Sequence, residues 1–193
     1  MTVQLPAANL TQLLAQSNAC DLIQSLAPQV LYFSLKQKGM GDCLEVLPYL
    51  SAEQSIKIFD YDVWQQDRLC PKQAFHWLSL YNKVNGELLV KRLSQLDEEY
   101  QLAIFESCVR FYDKASYEQL IEAEQDLLYA FPGNEMYYAI LSEDRLLHDS
   151  IKETVESLIA NQLPYAMSLL SHASACPPNE AESLLSQFRR ARL

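Results

Sequence analysis

The chain is short of glycine, with 4 in 193 residues, and this argues against a fold built from tight β-turns. Long apolar runs are missing as well. No stretch reaches the ~20 apolar residues that a membrane helix needs. The opening MTVQLPAANLTQLLAQ lacks a basic segment followed by an apolar one, so it does not read as a secretory signal. No C-x-x-C pair occurs among Cys20, Cys43, Cys70, Cys108 and Cys176. An odd, scattered set of this kind predicts reduced, mostly buried thiols in a cytoplasm. The strings G-x-x-x-x-G-K-[ST], G-x-G-x-x-G and G-x-S-x-G are absent, which removes the usual phosphate cradle, dinucleotide loop and nucleophile elbow. The reading is a protein that is not an enzyme and uses no cofactor. Basic residues are outnumbered, with Lys+Arg 15 against Asp+Glu 25 and a net charge of −10. Such a surface repels nucleic-acid backbones and anionic membranes.

What the chain does have is a pattern that returns after 46 residues. Leu47-x-x-Leu50-Ser51-x-Glu53, followed by Ile58-Phe59, recurs as Leu93-x-x-Leu96-Asp97-x-Glu99, followed by Ile104-Phe105. Upstream, Leu31 falls on Trp77 and Leu44 on Val90, apolar on apolar. Periods of roughly 40–47 residues belong to helical solenoid units. Such units stack, and the stack offers a surface for binding.

Helix signals follow the same plan in both copies. Pro28 suits a first helical turn and Gly39 a helix end. Asp42 can cap a short helix through Leu47. Ser51-x-x-Gln54 is a capping box, in which each side chain satisfies the other residue's free backbone N–H. In the second copy Pro71 opens a helix that ends near Asn85-Gly86. A shorter one carries Leu89, Leu93 and Leu96, and Asp97 caps a third with Leu102, Ile104, Phe105 and Val109. Beyond Asp113 the pattern changes. Ser116 to Leu128 predicts an acidic helix. Two aromatic-rich runs then flank Pro132-Gly133-Asn134, and they read either as a β-hairpin over 127–141 or as two helix ends broken at Pro132. Helix resumes by Asp144. Pro164 begins another through Leu170, and a last one runs from about Glu180 to Arg190.

The residues with chemical potential are few. Asp60, Asp62 and Asp67 put three carboxylates within eight residues, and hard cations take oxygen ligands. They are the candidate metal ligands. The stretch is not an EF-hand loop, since the glycine and the terminal glutamate are missing. The alternative has Asp62 or Asp67 capping a turn, Arg68 pairing with a neighbouring carboxylate, and Trp64 filling the space between helices. His172-x-x-x-Cys176 has a spacing that places two ligands on one helix face, but two are too few for a metal site. His148, among charged residues, is expected to face water. Arg189-Arg190-x-Arg192 places positive charge at a helix end, where it favours the dipole; an acidic partner surface is the sharper reading.

The string Leu47-Pro48-Tyr49-Leu50-Ser51-Ala52-Glu53-Gln54, then Asp60-Tyr61-Asp62-Val63-Trp64-Gln65-Gln66-Asp67-Arg68-Leu69-Cys70-Pro71, then Trp77-Leu78, resembles a bacterial family catalogued only as a domain of unknown function. Its members carry a similar L-S-P-E-Q, D-x-D-x-W-x-x-D-R-x-x-P and W-L series. Phe188-Arg189-Arg190-Ala191-Arg192-Leu193 is similar to a motif they have before a further region. The resemblance covers roughly residues 20–193. The L-x-x-L-[SD]-x-E helix starts also look like those of the superhelical domain at the amino terminus of a class of magnesium transporters, a regulatory cytosolic module. Neither resemblance brings a catalytic residue.

The expected fold is all-α, a superhelical stack of short helices with a 46-residue repeat and at most one small hairpin near 127–141. Residues 1–193 form one helical domain, with a repeat region over 1–113 and a C-terminal helical region over 114–193. The expected role is a cytoplasmic interaction or regulatory scaffold with a protein partner that offers a basic or amphipathic segment. A divalent-cation-responsive module built on Asp60, Asp62 and Asp67 is the first alternative, and an enzyme of unrecognised type the second.

Overall fold

Ser51 accepts from the Gln54 backbone N–H at 3.1 Å while the Gln54 side chain accepts from the Ser51 N–H at 3.0 Å, so the capping box expected from the sequence forms. It opens the helix Ala52–Asp62, one of a series of short helices that precedes one long one. The computed structural model describes residues 9–176, 185–187 and 189–190. Two short helices, α1 (Leu10–Leu14) and α2 (Ala19–Gln24), lead into α3 (Pro28–Lys38). A 3-10 segment, Met40–Tyr49, takes the place of the short α-helix expected after Asp42. Then comes α4 (Ala52–Asp62), a two-residue hairpin of β1 (Trp64–Gln65) and β2 (Arg68–Leu69), and α5 (Pro71–Val84), α6 (Gly86–Ser94) and α7 (Glu98–Phe105).

The element boundaries carry the offset of 46 residues. Helix α3 ends at Lys38 and α5 at Val84; the next elements begin at Met40 and Gly86, and the third at Ala52 and Glu98. Burial follows the same register. Leu31 and Trp77, Leu35 and Tyr81, Leu47 and Leu93, Leu50 and Leu96, Ile58 and Ile104, and Phe59 and Phe105 are matched positions, and every one is buried. Apolar residues at helical spacing thus place the same face of each element inward. Phe59 of α4 meets Trp77 and Tyr81 of α5 and Tyr100 of α7, with ring centroids 6.0–6.4 Å apart, so the two triplets share one aromatic core.

Beyond α7 the fold departs from all-helix. The third helix of the second triplet stops at Phe105, and Val109, expected inside it, begins strand β3 (Val109–Asp113). The acidic helix expected over Ser116–Leu128 is two single turns, α8 (Lys114–Tyr117) and α9 (Glu122–Gln125). Of the two readings around Pro132, the hairpin is the one that forms. Strands β4 (Tyr129–Ala130) and β5 (Met136–Ile140) pair antiparallel, Tyr129 with Tyr138 and Ala130 with Tyr137. Gly133 at φ 92° and Asn134 at φ 56° supply the left-handed backbone that the turn requires. β3 pairs with the other side of β5, giving a three-stranded sheet in the order β3-β5-β4. Next comes α10 (Arg145–Ala175), two helical segments that meet at a kink, which is the expected pair. Gln162 at the kink lies at φ −151°, ψ 69°, two residues before Pro164, whose ring excludes a regular helix just upstream and suits the first turn of the second segment. Helix α10 packs against α5, α6, α7 and β3. The helix expected from Glu180 to Arg190 lies largely outside the described residues; 185–187 and 189–190 are helical.

Candidate functional site

Asp60, Asp62 and Asp67 sit at the end of α4 and in the hairpin beyond it, and the structure gives each a different setting. Asp62 has a side chain only 5 % exposed. It receives hydrogen bonds from Tyr32 Oη, Gln73 Nε2 and Trp77 Nε1, each at 2.8 Å, and an ion pair from Lys36 at 2.7 Å. Tyr32 and Lys36 belong to α3, Gln73 and Trp77 to α5. Asp62 therefore ties the first triplet to the second. Burial alone would push its carboxyl up; hydrogen bonds from Lys36, Gln73, Tyr32 and Trp77 outweigh this and hold it below the usual carboxylate range. Asp60 is fully buried. Asp67 is exposed and pairs with Arg190 at 3.1 Å. Among the described residues no three carboxylate, imidazole or thiol groups gather where they could hold a metal ion. Trp64 fills the core as the second reading of this stretch expected, at 7 % exposure, with its N–H donated to Tyr100 Oη at 2.8 Å.

Two further buried polar residues were invisible in the sequence. Gln54 Nε2 donates to the carbonyls of Ile23 and Leu26, each at 2.9 Å, and so satisfies free acceptors at the end of α2. Arg92, 3 % exposed, donates to the carbonyls of Leu47 at 3.2 Å, in the last turn of the 3-10 segment, and of Leu50 at 2.6 Å, just past its end. Its matched position in the first triplet is Val46, and that of Gln54 in the second is Tyr100. A polar residue at one copy of a position that is apolar in the other is the signal that could have found both. His148 differs from expectation too: it is half-buried, with Nε2 2.9 Å from Tyr129 Oη. None of the five cysteines is in a disulfide, and only Cys43 and Cys108 are buried.

The surface of residues 113–156 is a second candidate. Asp113, Glu118, Glu122, Glu124, Asp126, Glu135, Glu143, Asp144, Asp149, Glu153 and Glu156 are eleven carboxylates, all exposed. Against them stand Lys114, Arg145 and Lys152, three cations, so with histidine neutral this stretch holds −8 of the chain's −10. Lys114 pairs with Glu135 at 3.0 Å and Lys72 reaches Asp144 at 2.9 Å. Among the described residues, four of the six large exposed apolar side chains fall in the same stretch: Ile121 at 66 %, Leu127 at 72 %, Leu141 at 46 % and Leu146 at 73 %. Beside it, where α10 bends, Phe111, Met136, Leu163, Pro164 and Met167 line an apolar groove of about 540 Å³, edged by Ser168 and Ser171. Phe111 is fixed there through its N–H, which donates to Ser174 Oγ at 2.7 Å.

A family profile described as a family of unknown function, DUF6178, matches residues 4–193. The chain belongs to this family. The likeness read from the D-x-D-x-W-x-x-D-R and F-R-R strings agrees with that membership, whereas the likeness to magnesium transporters has no counterpart. No curated protein and no solved structure matches the chain. In this DUF6178 member no described helix is long and apolar enough to cross a membrane.

Proposed function

We propose that the protein is a cytoplasmic interaction scaffold, a single helical domain whose matched triplets form a short superhelical stack and whose C-terminal part binds a basic, amphipathic segment of a partner protein. The observation that carries this reading is the surface of residues 113–156, where eleven exposed carboxylates interleave with four exposed aliphatic side chains. A helix with one cationic and one apolar face matches both features, as in helix-in-groove recognition. The Phe111–Met167 groove suits apolar anchors, and Met136 and Met167 adapt to different shapes. Like-signed charges across the surface steer a cationic partner and disfavour anionic ones. The two triplets supply the rigid support: Asp62 and Arg92 fix their spacing, and α10 passes from them to the sheet.

The test uses a synthetic Leu/Lys peptide with leucines at helical spacing, titrated calorimetrically into the full chain. Replacing Glu118, Glu122, Glu124, Asp126 and Glu143 by lysine should weaken binding at least about tenfold, since each lost surface attraction contributes a few tenths of a kcal/mol. Equal affinity for the wild type and this variant would contradict the reading.

A further inference from the structure

The β1–β2 hairpin holds an arrangement that neither the packing of the triplets nor the acidic surface accounts for. Trp64 pairs with Leu69 and Gln65 with Arg68, leaving Gln66 and Asp67 at the turn. Gln66 lies at φ 59°, a conformation that costs a residue with a side chain and that collects at functional sites. Its carbonyl accepts from Arg189 Nη1 at 3.4 Å, and the Asp60 carbonyl accepts from Arg189 Nε at 3.2 Å. The same guanidinium lies over the Trp64 ring, 5.0 Å from its centroid. Arg190 Nη2 sits 3.1 Å from the Asp67 carboxylate. The hydrogen bond from the Trp64 N–H to Tyr100 Oη fixes the ring, so the face that meets Arg189 has one orientation.

An aromatic face, two convergent backbone carbonyls and a flanking carboxylate match the chemistry of a guanidinium. Its planar fork stacks and donates in several directions at once, whereas an ammonium offers a point charge that does neither well. The two arginines that fill the arrangement come from more than 120 positions along the chain, as the Asp60–Arg189 bond spans 129. The Arg190–Asp67 ion pair, whose side chains are 65 % and 68 % exposed, is open to competition.

We propose that the Asp60–Asp67 hairpin is an arginine-recognition site, filled here by the chain's own Arg189 and Arg190, and that an arginine-containing segment of a partner protein docks there by displacing them. The site goes beyond the acidic surface: none of its residues lies between 113 and 156, and either can fail without the other. Self-occupancy acts as a built-in competitor, because a tethered segment is present at an effective concentration of about millimolar.

The probe is an acetylated peptide of residues 185–193 of this chain, titrated into the full-length wild type and into the variant Arg189→Ala/Arg190→Ala. The vacated site should bind the peptide at least about tenfold tighter than the wild type does. A peptide with lysine at its three arginines should bind at least about tenfold more weakly. Adding Asp67→Lys to the vacated variant should abolish the gain while leaving the acidic surface intact. Equal binding by wild type and vacated variant, equal binding of the lysine peptide, or binding that survives Asp67→Lys would each overturn the proposal; the last would move the peptide to the acidic surface. Should the double alanine variant fail to fold, Arg189→Lys carries the test. It keeps the charge and loses the fork, and peptide affinity must still rise at least about threefold; no rise overturns the site.

Discussion

Asp62 is 5 % exposed and takes four donors, while each of the eleven carboxylates between Asp113 and Glu156 is exposed. The same chemical group joins one triplet to the other from a buried position at Asp62. In the C-terminal part it stays at the surface, where Asp113 and Asp144 cap helices and Glu135 pairs with Lys114. The difference lies in what surrounds it. In the triplets, apolar positions repeat with the offset and set the shared core, and the polar exceptions are the joints: Gln54 fastens α2, Asp62 joins α3 to α5, and Arg92 reaches back to the carbonyls of Leu47 and Leu50. In residues 113–156 few large side chains are buried, chiefly Phe131 and Tyr138 of the hairpin and Ile151 and Val155 of α10, and the charged side chains are exposed. A buried polar group is costly unless fully bonded, so the joints specify which elements meet. Exposed charges contribute little to stability and stay within reach of a partner.

The comparison breaks most sharply at Trp77. Trp77→Ala removes a fully buried ring and one donor of Asp62, and should cost about 3–5 kcal/mol in chemical denaturation. A loss under about 1 kcal/mol would mean the shared core is not where the structure has it. Asp62→Asn comes next, at about 2–3 kcal/mol, as hydrogen bonds to a charged group are worth more than neutral ones. This effect depends on pH. The folded carboxyl titrates below its unfolded value of about 3.9, so its contribution is fully present above that pH and is lost as pH falls through the folded value. The gap between wild type and Asp62→Asn should therefore narrow below about pH 4 and stay constant from about pH 5 to 7. A gap unchanged down to pH 2 would show that Asp62 is not held ionised by its donors. Gln54→Ala is smaller, about 1–2 kcal/mol, for the carbonyls at the end of α2 that lose their donor.

Much of the triplet architecture was legible because it rests on local signals. Ser51 and Gln54 announce a cap, Pro28 and Pro71 a first turn, and the offset of 46 residues aligns helix starts at Met40 with Gly86 and Ala52 with Glu98. The hairpin was half legible, since Pro132-Gly133-Asn134 marks a turn but does not choose the elements beside it. Strand β3 was not legible. Val109 continues the apolar spacing of α7, and its pairing with Ile140 is a long-range event that no local pattern contains. The carboxylate cluster was legible as a cluster, but the setting of each carboxylate was not. Its partners Tyr32, Lys36, Gln73 and Trp77 lie on two other helices, so only the fold reveals that Asp62 already has its ligands.

The smallest expected change in stability belongs to the acidic surface, and it comes with the largest expected change in association. Reversing Glu118, Glu122, Glu124, Asp126 and Glu143 to lysine should move stability by only about 0.5 kcal/mol per site or less. The measurement that tests the central claim is the stopped-flow association rate of the Leu/Lys peptide, at low and at high salt, for three full-length proteins: the wild type, this variant, and a control with Asp21, Glu45, Glu53, Glu87 and Glu98 reversed instead. Both variants change net charge equally. The wild-type rate should fall about tenfold or more as the screening length drops from ~30 Å at 0.01 M to ~3 Å at 1 M salt. The variant in residues 113–156 should be slow at every salt concentration, and the control should keep most of the wild-type rate. If the two variants slow alike, or if the wild-type rate ignores salt, attraction is not focused on residues 113–156 and the division between structural and recognition carboxylates fails.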